Sequence, residues 1–232
     1  MKKVCLVTGV GPGTGTQLVR RFAEDGYHVA MLSRNEERLK ALEQKIDTAT
    51  AYVCDVSDLP SLTSTIDTVK TQLGLPDVVI HNAVGGVFGD FLQVEAKVLE
   101  ENFQVNTMAL LHLSQLLAPE MIARGSGAIL CTGNTSAYRG KAHFAGFAPT
   151  KAAQRILAES IARRLGPEGI HVAYVLIDAV IDVPWARKAY PDAEDDFFCK
   201  PVDIANECFR VVHQPKSSWS FNVEIRPYCE NW

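Results

Sequence analysis

The stretch TGVGPGTG, residues 8–15, follows a short apolar run and opens a helical pattern. The spacing of Gly9, Gly13 and Gly15 permits a tight turn, a close approach of the backbone to a ligand, and close packing of the next helix. The first amides of that helix, beginning near Thr14, present free N–H groups and a partial positive charge to a pyrophosphate. A glycine turn between a strand and a helix therefore predicts a dinucleotide-binding α/β domain.

Short runs rich in β-branched residues alternate with helical patterns along the whole chain. The predicted strands are residues 3–8, 28–33, 50–54, 77–81, 127–132, 171–177 and 220–225, and the predicted helices are residues 14–25, 35–46, 58–73, 98–124, 148–165 and 201–213. Strands that are almost entirely apolar indicate a parallel sheet covered on both faces. We predict a Rossmann-like, doubly wound α/β fold with a seven-stranded, mostly parallel sheet and helices on both faces, forming one domain over residues 1–232.

One segment, VPWARKAYPDAEDDFFCKP at residues 183–201, follows neither period. We expect a long irregular connection there. Such a connection either covers a binding site as a lid or simply crosses the surface.

The net charge and the hydrophobic content of the chain indicate which kinds of molecule it binds. The 232 residues carry a net charge of -4, and 47% are hydrophobic, which indicates a globular protein without a basic surface for nucleic acid or anionic membranes. The N-terminal apolar run is too short for a signal peptide or a membrane span, so we expect a cytoplasmic protein with a small-molecule substrate. The six cysteines form no Cys-x-x-Cys pair and the six histidines show no close spacing, so no metal site is expected.

The end of the second predicted strand bears on the choice of nucleotide. Ser33 and Arg34 stand there, and no acid follows until Glu36. A carboxylate at this point would bind a ribose 2′-hydroxyl, whereas an arginine suits a 2′-phosphate. NADP(H) is therefore the expected cofactor, with NAD the alternative if Arg34 only begins the next helix.

Further motifs extend this pattern along the chain. CDV at 54–56, HNAVG at 81–85, FQVNTMALL at 103–111 and KPVDIANECFRVV at 200–212 accompany the glycine turn. Over essentially its whole length the chain resembles the short-chain dehydrogenases/reductases, in their single-domain branch. HNAVG departs from that family's Asn-Asn-Ala-Gly at His81 and Val84.

The resemblance implies a set of site residues. Asp55 would bind the adenine amino group, and Asn106 would hold a water in a proton relay. The full implied cofactor set is Thr8, Gly9, Gly13, Thr14, Gly15, Ser33, Arg34, Asp55, Val56, Asn82, Ala83, Lys151 and Val180.

The residues that would move the proton depart from the family. In GFAPTKAAQ, residues 146–154, Lys151 is kept, but Phe147 stands four residues before it, where the family has its catalytic tyrosine. Counting back thirteen residues places Asn134 at the serine position. Phenylalanine has no proton to give, whereas an amide still polarises a carbonyl oxygen. Tyr138 and His143 are possible substitutes for the missing hydroxyl, or loop residues without a catalytic role.

A third departure follows the sixth strand. IDAVID, residues 177–182, replaces the family's Pro-Gly-x-x-x-Thr and places Asp178 and Asp182 near the expected nicotinamide site. A carboxylate there either binds the carboxamide, acts as a base, or points to solvent.

Three functions remain open. The leading hypothesis is an NADP(H)-dependent oxidoreductase of a carbonyl or alcohol substrate with an atypical proton relay. The alternatives are an NADP(H)-binding sensor or oligomer partner with little turnover, and a non-redox isomerase or dehydratase that uses Asp178 or Asp182 as a base. Apolar residues around most of helices 98–124 and 148–165, together with the resemblance, predict a homodimer or homotetramer.

Overall fold

The computed structural model describes residues 2–230. The strands are β1 (Val4–Thr8), β2 (His28–Ser33), β3 (Ala49–Val53), β4 (Val78–His81), β5 (Gly127–Asn134), β6 (Ile170–Ile177), β7 (Val180–Ile181), β8 (Phe198–Cys199) and β9 (Asn222–Ile225). The helices are α1 (Thr14–Glu24), α2 (Glu36–Glu43), α3 (Leu59–Leu73), α4 (Ala96–Phe103), α5 (Ala109–Arg124), α6 (Ala148–Leu165), α7 (Pro184–Ala189) and α8 (Pro201–Val212).

Seven strands form one sheet in the order β3-β2-β1-β4-β5-β6-β9, and every neighbouring pair is parallel. One apolar cluster joins one face to α3, α5 and α6, and a second joins the other face to α1, α2 and α8. Strands buried on both sides explain the continuous apolar runs, and the predicted doubly wound fold is confirmed. The order reverses between β1 and β4, which places a crevice at their carboxyl ends.

Local signals account for the helix boundaries. The Asp58 carboxylate accepts from the Ser61 amide at the start of α3, and Pro60 lies in the first turn. In α6, the helix ends at Leu165 before Gly166, and Arg163 pairs with Glu159 at the surface. Within residues 2–230, no helix is both long and apolar enough to cross a membrane.

Two predictions of secondary structure are wrong. The segment 183–201 is not irregular, because it contains α7, a 3-10 turn at Asp195–Phe197, and β8, which pairs with β7. These elements are two to six residues long, too short to display a hydrophobic period. The helix predicted at 98–124 begins at Ala96 and is interrupted by a π-helical turn at Gln104–Met108. Such turns often lie at functional sites.

Candidate functional site

The glycine turn after β1 is shaped by three close approaches. Gly9 has φ +70°, and a Cβ on it would lie 2.5 Å from the Ala83 Cα. A Cβ on Gly15 would lie 2.5 Å from the Gly9 carbonyl oxygen, and one on Gly13 would lie 2.5 Å from a methyl group of Val183. Side chains are therefore excluded at all three positions, which leaves the backbone free to approach a ligand.

The start of α1 lies within this turn. Among the side chains of residues 2–230, none caps the helix at Gly13. The Thr14 hydroxyl oxygen is buried and has no hydrogen-bond partner among residues 2–230. Buried polar groups rarely go unpaired, and helix N-termini attract anions. The turn therefore fits the pyrophosphate of a dinucleotide, with the α1 amides and the Thr14 hydroxyl as donors.

Asn82 connects the glycine turn to β5. Its Nδ2 group donates to the Gly9 carbonyl oxygen at 2.9 Å, and its Oδ1 atom accepts from the Thr132 hydroxyl at 3.0 Å. The Ala83 amide donates to the Thr8 hydroxyl oxygen at 3.3 Å. These bonds hold the carboxyl ends of β1, β4 and β5 together around the crevice.

His81 completes the connection between β1 and β4. Its Nε2 atom lies 3.1 Å from the Val105 carbonyl oxygen, which only accepts, so Nε2 carries the proton. Its Nδ1 atom therefore accepts from the Thr8 hydroxyl, at 3.1 Å. Burial, and then the charge of Lys151, lowers the pKa of His81 to about 4. The ring is neutral near pH 7 and serves to fix two strand ends.

The expected adenosine site lies at the ends of β2 and β3. The Arg34 side chain is exposed, and its Nη1 atom is 3.9 Å from an oxygen of Asp55. The other Asp55 oxygen accepts from the amide and hydroxyl of Ser57 at 3.0 and 2.6 Å. The Ser33 hydroxyl accepts from the Asn35 amide at 3.2 Å, and Val56 is buried. The structure thus brings Arg34 and Asp55 together at one end of the crevice.

Lys151 lies one turn into α6 and is 2% exposed. Its ammonium group donates to the Thr132 carbonyl oxygen at 3.2 Å, beside the carboxyl end of β5. Its backbone amide donates to the Phe147 carbonyl oxygen at 3.3 Å, so the two residues stack one turn apart. Burial lowers the pKa of Lys151.

Asn106 lies in the π-helical turn and makes four hydrogen bonds through its side chain and its backbone carbonyl. Its side chain accepts from the Gly85 amide at 3.0 Å and donates to the Gly85 carbonyl oxygen and the Thr150 hydroxyl, both at 2.8 Å. Its backbone carbonyl accepts from Nε2 of Gln154 at 2.6 Å. The Gln154 Oε1 atom is buried without a partner among residues 2–230. Sequence reasoning missed Gln154, although its place three residues after Lys151 puts it on the same side of α6.

Asn134 ends β5 and caps the 3-10 turn Thr135–Ala137. Its Oδ1 atom accepts from the Ser136 amide at 3.1 Å, so its remaining polar group is the Nδ2 donor. Tyr138 does not suit the role of substitute acid. Its hydroxyl donates to Asn222 on β9, the outer edge strand, at 3.1 Å, and its ring lies under Arg155. His143 is exposed in the segment that precedes α6.

Three aromatic rings, those of Phe88, Phe144 and Phe147, pack together near the start of α6. The Phe88 ring centroid lies 4.9 Å from that of Phe144 and 5.3 Å from that of Phe147. Phe147 is 3% exposed and Phe88 is 57% exposed. The residue one turn before Lys151 therefore contributes an apolar ring that is covered by the loop after β4.

The segment after β6 contacts the glycine turn through Val183, and Val180 begins its short strand. Asp182 accepts from Arg187 at 2.7 and 2.8 Å and from Lys200 at 2.9 Å. The hydrogen bonds from Arg187 hold the pKa of Asp182 well below its usual range. The expectations of a base and of a solvated group are wrong, because this carboxylate is held in an ion-pair network, whereas binding of the carboxamide stays a prediction.

Asp178 is likewise engaged. Its carboxylate is 3.3 Å from a guanidinium nitrogen of Arg139 and 3.9 Å from one of Arg226. It is 6% exposed. The carboxylate therefore pairs with two arginines at the end of β6, which leaves it poorly placed to act as a base.

Comparison with known proteins places this geometry in a family. A family model described as short chain dehydrogenase matches residues 3–192. The 7alpha-hydroxysteroid dehydrogenase of Escherichia coli (strain K12) is 28% identical over 229 residues, which cover 94% of this chain and 89% of that protein. The L-xylulose reductase of Mesocricetus auratus is 31% identical over 168 residues, which cover 72% of this chain and 67% of that protein.

Solved structures agree with the sequence relatives. A short-chain dehydrogenase from Rhodopseudomonas palustris superposes with a TM-score of 0.84 at 29% identity, covering 97% of this chain and 99% of that one. A metagenomic short-chain oxidoreductase in complex with NADP superposes with a TM-score of 0.85 at 25% identity, covering 98% of each chain. The family model spans most of the chain, and the chain therefore belongs to the short-chain dehydrogenases/reductases, a family of oxidoreductases.

Proposed function

We propose that this chain is an NADP(H)-dependent oxidoreductase that interconverts a carbonyl compound and an alcohol through an atypical proton relay. The observation that carries the proposal is the position of Lys151. Its buried ammonium group donates to the end of β5, which Asn82 joins to the glycine turn. A buried cation beside a nucleotide crevice is suited to binding a ribose hydroxyl and stabilising negative charge.

The preference for NADP(H) rests on Arg34. Its exposed guanidinium stands at the end of β2, where a 2′-phosphate would lie, and Asp55 is close enough to orient it. An arginine forms paired, charge-assisted hydrogen bonds with a phosphate. The metagenomic relative in complex with NADP is consistent with this choice.

Each part of the site has a role in the proposed reaction. A bound dinucleotide supplies or accepts the hydride. The glycine turn and the Thr14 hydroxyl hold its pyrophosphate, and Lys151 orients the sugar nearest the reacting ring. The Nδ2 group of Asn134 donates to the substrate carbonyl oxygen and polarises it.

The proton relay is atypical in two respects. Phe147 occupies the position at which the family resemblance implies a tyrosine, so no phenol donates to the substrate there. Nε2 of Gln154 donates to the backbone carbonyl oxygen of Asn106, the residue to which the resemblance assigns a relay water. Losing a positioned general acid removes about 10² to 10⁴ in rate, so a ketone would be reduced slowly.

A second candidate is a dinucleotide-binding protein with little or no turnover. One observation favours it: Phe147 has no hydroxyl, and that of Tyr138 is bonded to Asn222. A non-redox function that uses Asp182 as its base is disfavoured, because Arg187 and Lys200 already bind that carboxylate. In either role we propose a homodimer or homotetramer, in which exposed side chains of α6 such as Ile156 are covered. A monomer by light scattering at micromolar concentration contradicts the assembly.

The test compares native protein with Lys151→Ala. NADPH oxidation is measured across aldehydes, ketones and quinones, and NADPH affinity is measured by fluorescence titration. We expect Lys151→Ala to lower kcat/KM by about 10² or more, since a positioned charge is lost. Lys97→Ala is the control, because that lysine is exposed on α4. NADPH binding without oxidation of any acceptor favours the second candidate, and equal turnover in Lys151→Ala removes the proposed role of the lysine.

A further inference from the structure

The loop after β4 and the segment before α6 form one wall beside Lys151. The Gly89 amide donates to the His143 carbonyl oxygen at 2.8 Å, and the Ala145 amide donates to the Gly89 carbonyl oxygen at 3.2 Å. This short parallel bridge fixes Phe88 against Phe144. The hydrogen bonds therefore hold the two segments of the wall at a fixed distance from each other.

The wall is aromatic and apolar. Phe88, Phe144 and Phe147 have ring centroids 4.9 to 6.4 Å apart, and the rings are inclined to one another. Within residues 84–94 the only charged side chain is that of Asp90. Four further apolar side chains of this loop are 47 to 81% exposed: Val84, Val87, Phe91 and Leu92. An apolar surface of this kind beside a cleft marks a binding site for a planar, apolar molecule.

Proton donors are scarce around Lys151. Burial raises the pKa of the Cys131 thiol to about 12, so it holds its proton. Both ring nitrogens of His81 are bonded, and its pKa is lowered to about 4 by burial. The Tyr138 hydroxyl is directed to Asn222. Apart from the Lys151 ammonium, which already donates to Thr132, these groups offer a substrate no proton, so the site favours a substrate that accepts a hydride without needing a proton in the same step.

We infer that the substrate class is a quinone, bound against the aromatic wall; this inference rests on the proposed oxidoreductase function. Hydride transfer to a saturated ketone produces an alkoxide, the conjugate base of an acid about as weak as water. Hydride transfer to a quinone produces a hydroquinone monoanion, a phenolate whose conjugate acid has a pKa of about 10. The phenolate is far less basic, so the Lys151 cation and the Asn134 amide stabilise it without transferring a proton.

The reaction balances without another reactant. NADPH gives a hydride, which carries two electrons, and becomes NADP⁺. One quinone oxygen would take the hydride, forming an O–H bond as the C–H bond at nicotinamide C4 breaks, and the other oxygen would take the negative charge as the ring becomes aromatic, which gives the hydroquinone monoanion. That anion takes one proton from solvent after it leaves the crevice, so the net reaction consumes one proton per quinone reduced.

The test uses two probes of matched ring framework, 1,4-naphthoquinone and 1-tetralone. NADPH oxidation is measured with native protein and with Phe147→Tyr, after subtraction of the rate without protein. We expect native protein to favour the quinone in kcat/KM by at least about 10², the contribution of a positioned general acid. In Phe147→Tyr the ratio of tetralone to naphthoquinone rates rises by about the same factor, because a phenol is restored one turn before Lys151.

The wall has its own control. Phe88→Ala is expected to raise the KM for naphthoquinone several-fold, since one ring of the wall is lost. Val202→Ala, which removes an exposed apolar side chain on α8, outside the wall and its loop, is expected to leave the KM unchanged. An equal effect of the two changes contradicts binding against the wall.

The outcomes separate the two proposals. Native protein that reduces tetralone as well as naphthoquinone contains a proton donor, and the quinone inference is then wrong while the oxidoreductase function stands. Reduction of tetralone by Phe147→Tyr, with neither probe reduced by native protein, also overturns the inference. NADPH that binds to both proteins and is oxidised by neither overturns the oxidoreductase function itself.

Discussion

The ring of Tyr174 on β6 lies directly beneath Gly133 on β5. A Cβ built on Gly133 would lie 2.0 Å from Cζ and 2.1 Å from the hydroxyl oxygen of that ring. Tyr174 is fully buried, and Gly133 immediately precedes Asn134. The Tyr174 ring can lie here only because Gly133 has no side chain. The contact between the two residues therefore fixes the position of the β5 end that carries Asn134.

We predict that Gly133→Ala destabilises the fold by about 1–3 kcal/mol, because the added methyl group overlaps the ring. Tyr174→Ala is expected to cost about 3–5 kcal/mol by leaving a cavity. The double variant should lose less than the sum, since the methyl group then has room. Urea unfolding measures all three, and Gly140→Ala, where a Cβ meets nothing within 4 Å, is the control. If the double variant loses the full sum of the two single losses in unfolding free energy, Gly133 and Tyr174 are not in contact.

His81 makes stability depend on pH. Its pKa is about 4 in the folded protein because it is buried, against 6.5 in the unfolded chain, so the unfolded state binds more protons between these values. Stability is then lost as the pH falls below 6.5, by about 2 kcal/mol between pH 7.5 and 5. His81→Asn should reduce this slope, whereas His112→Asn should retain it. The free energy of unfolding is measured at pH 7.5 and pH 5 for each variant. If His81→Asn loses as much stability between these pH values as native protein, His81 is not the source of the pH dependence.

The ion-pair network around Asp182 gives a dependence in a more acidic range. The Arg187 hydrogen bonds hold the folded pKa of Asp182 below its unfolded value, so the stabilisation is complete above about pH 4 and is lost as the pH falls further. Asp182→Asn is expected to cost about 1 kcal/mol at pH 7, and the difference from native protein should shrink toward pH 3.

The matched control for Asp182 is Glu101→Gln. That carboxylate is 3.8 Å from Lys97, and both side chains are largely exposed, so we expect no measurable change. Thermal unfolding at pH 7 and pH 3 compares the two variants. Equal effects would show that the network around Asp182 does not stabilise the segment.

Arg34 is predicted to set the choice of nucleotide. Arg34→Ala should weaken NADPH binding by about 10- to 100-fold, the value of a charge-assisted bond, and leave NADH binding nearly unchanged. Lys40→Ala on α2 is the control, since its ammonium group already pairs with Glu43. Fluorescence titration gives both dissociation constants. Parallel losses for the two nucleotides would show that Arg34 does not contact a 2′-phosphate.

Most of the fold was predictable because the sheet strands are buried on both faces and appear as continuous apolar runs. The glycine turn was equally clear, since three of its positions exclude a side chain for steric reasons visible as a spacing. The short elements of 183–201 were not predictable, because each is too short to display a hydrophobic period. They are held by contacts that no local pattern records, the ion pairs of Asp182 with Arg187 and Lys200 and a small apolar cluster around Phe198.

The site was predictable only in part. Lys151 and Asn106 could be found because each has a fixed place in a motif. Lys151 lies in α6, and the Asn106 side chain donates to Thr150 of the same helix. The partners of a polar side chain depend on tertiary contacts. Gln154 and Asn106 are 48 positions apart in the sequence, and Tyr138 and Asn222 are 84 positions apart. No local pattern records them.

The central claim is that the crevice beside Lys151 transfers a hydride. The most direct measurement is single-turnover oxidation of bound NADPH, with protein in excess and naphthoquinone added, using NADPH that carries hydrogen or deuterium at C4. We predict that one equivalent of NADPH is consumed by native protein, more slowly with deuterium, and that Lys151→Ala loses this reaction. NADPH that binds fully and remains reduced would contradict the claim and leave a nucleotide-binding protein.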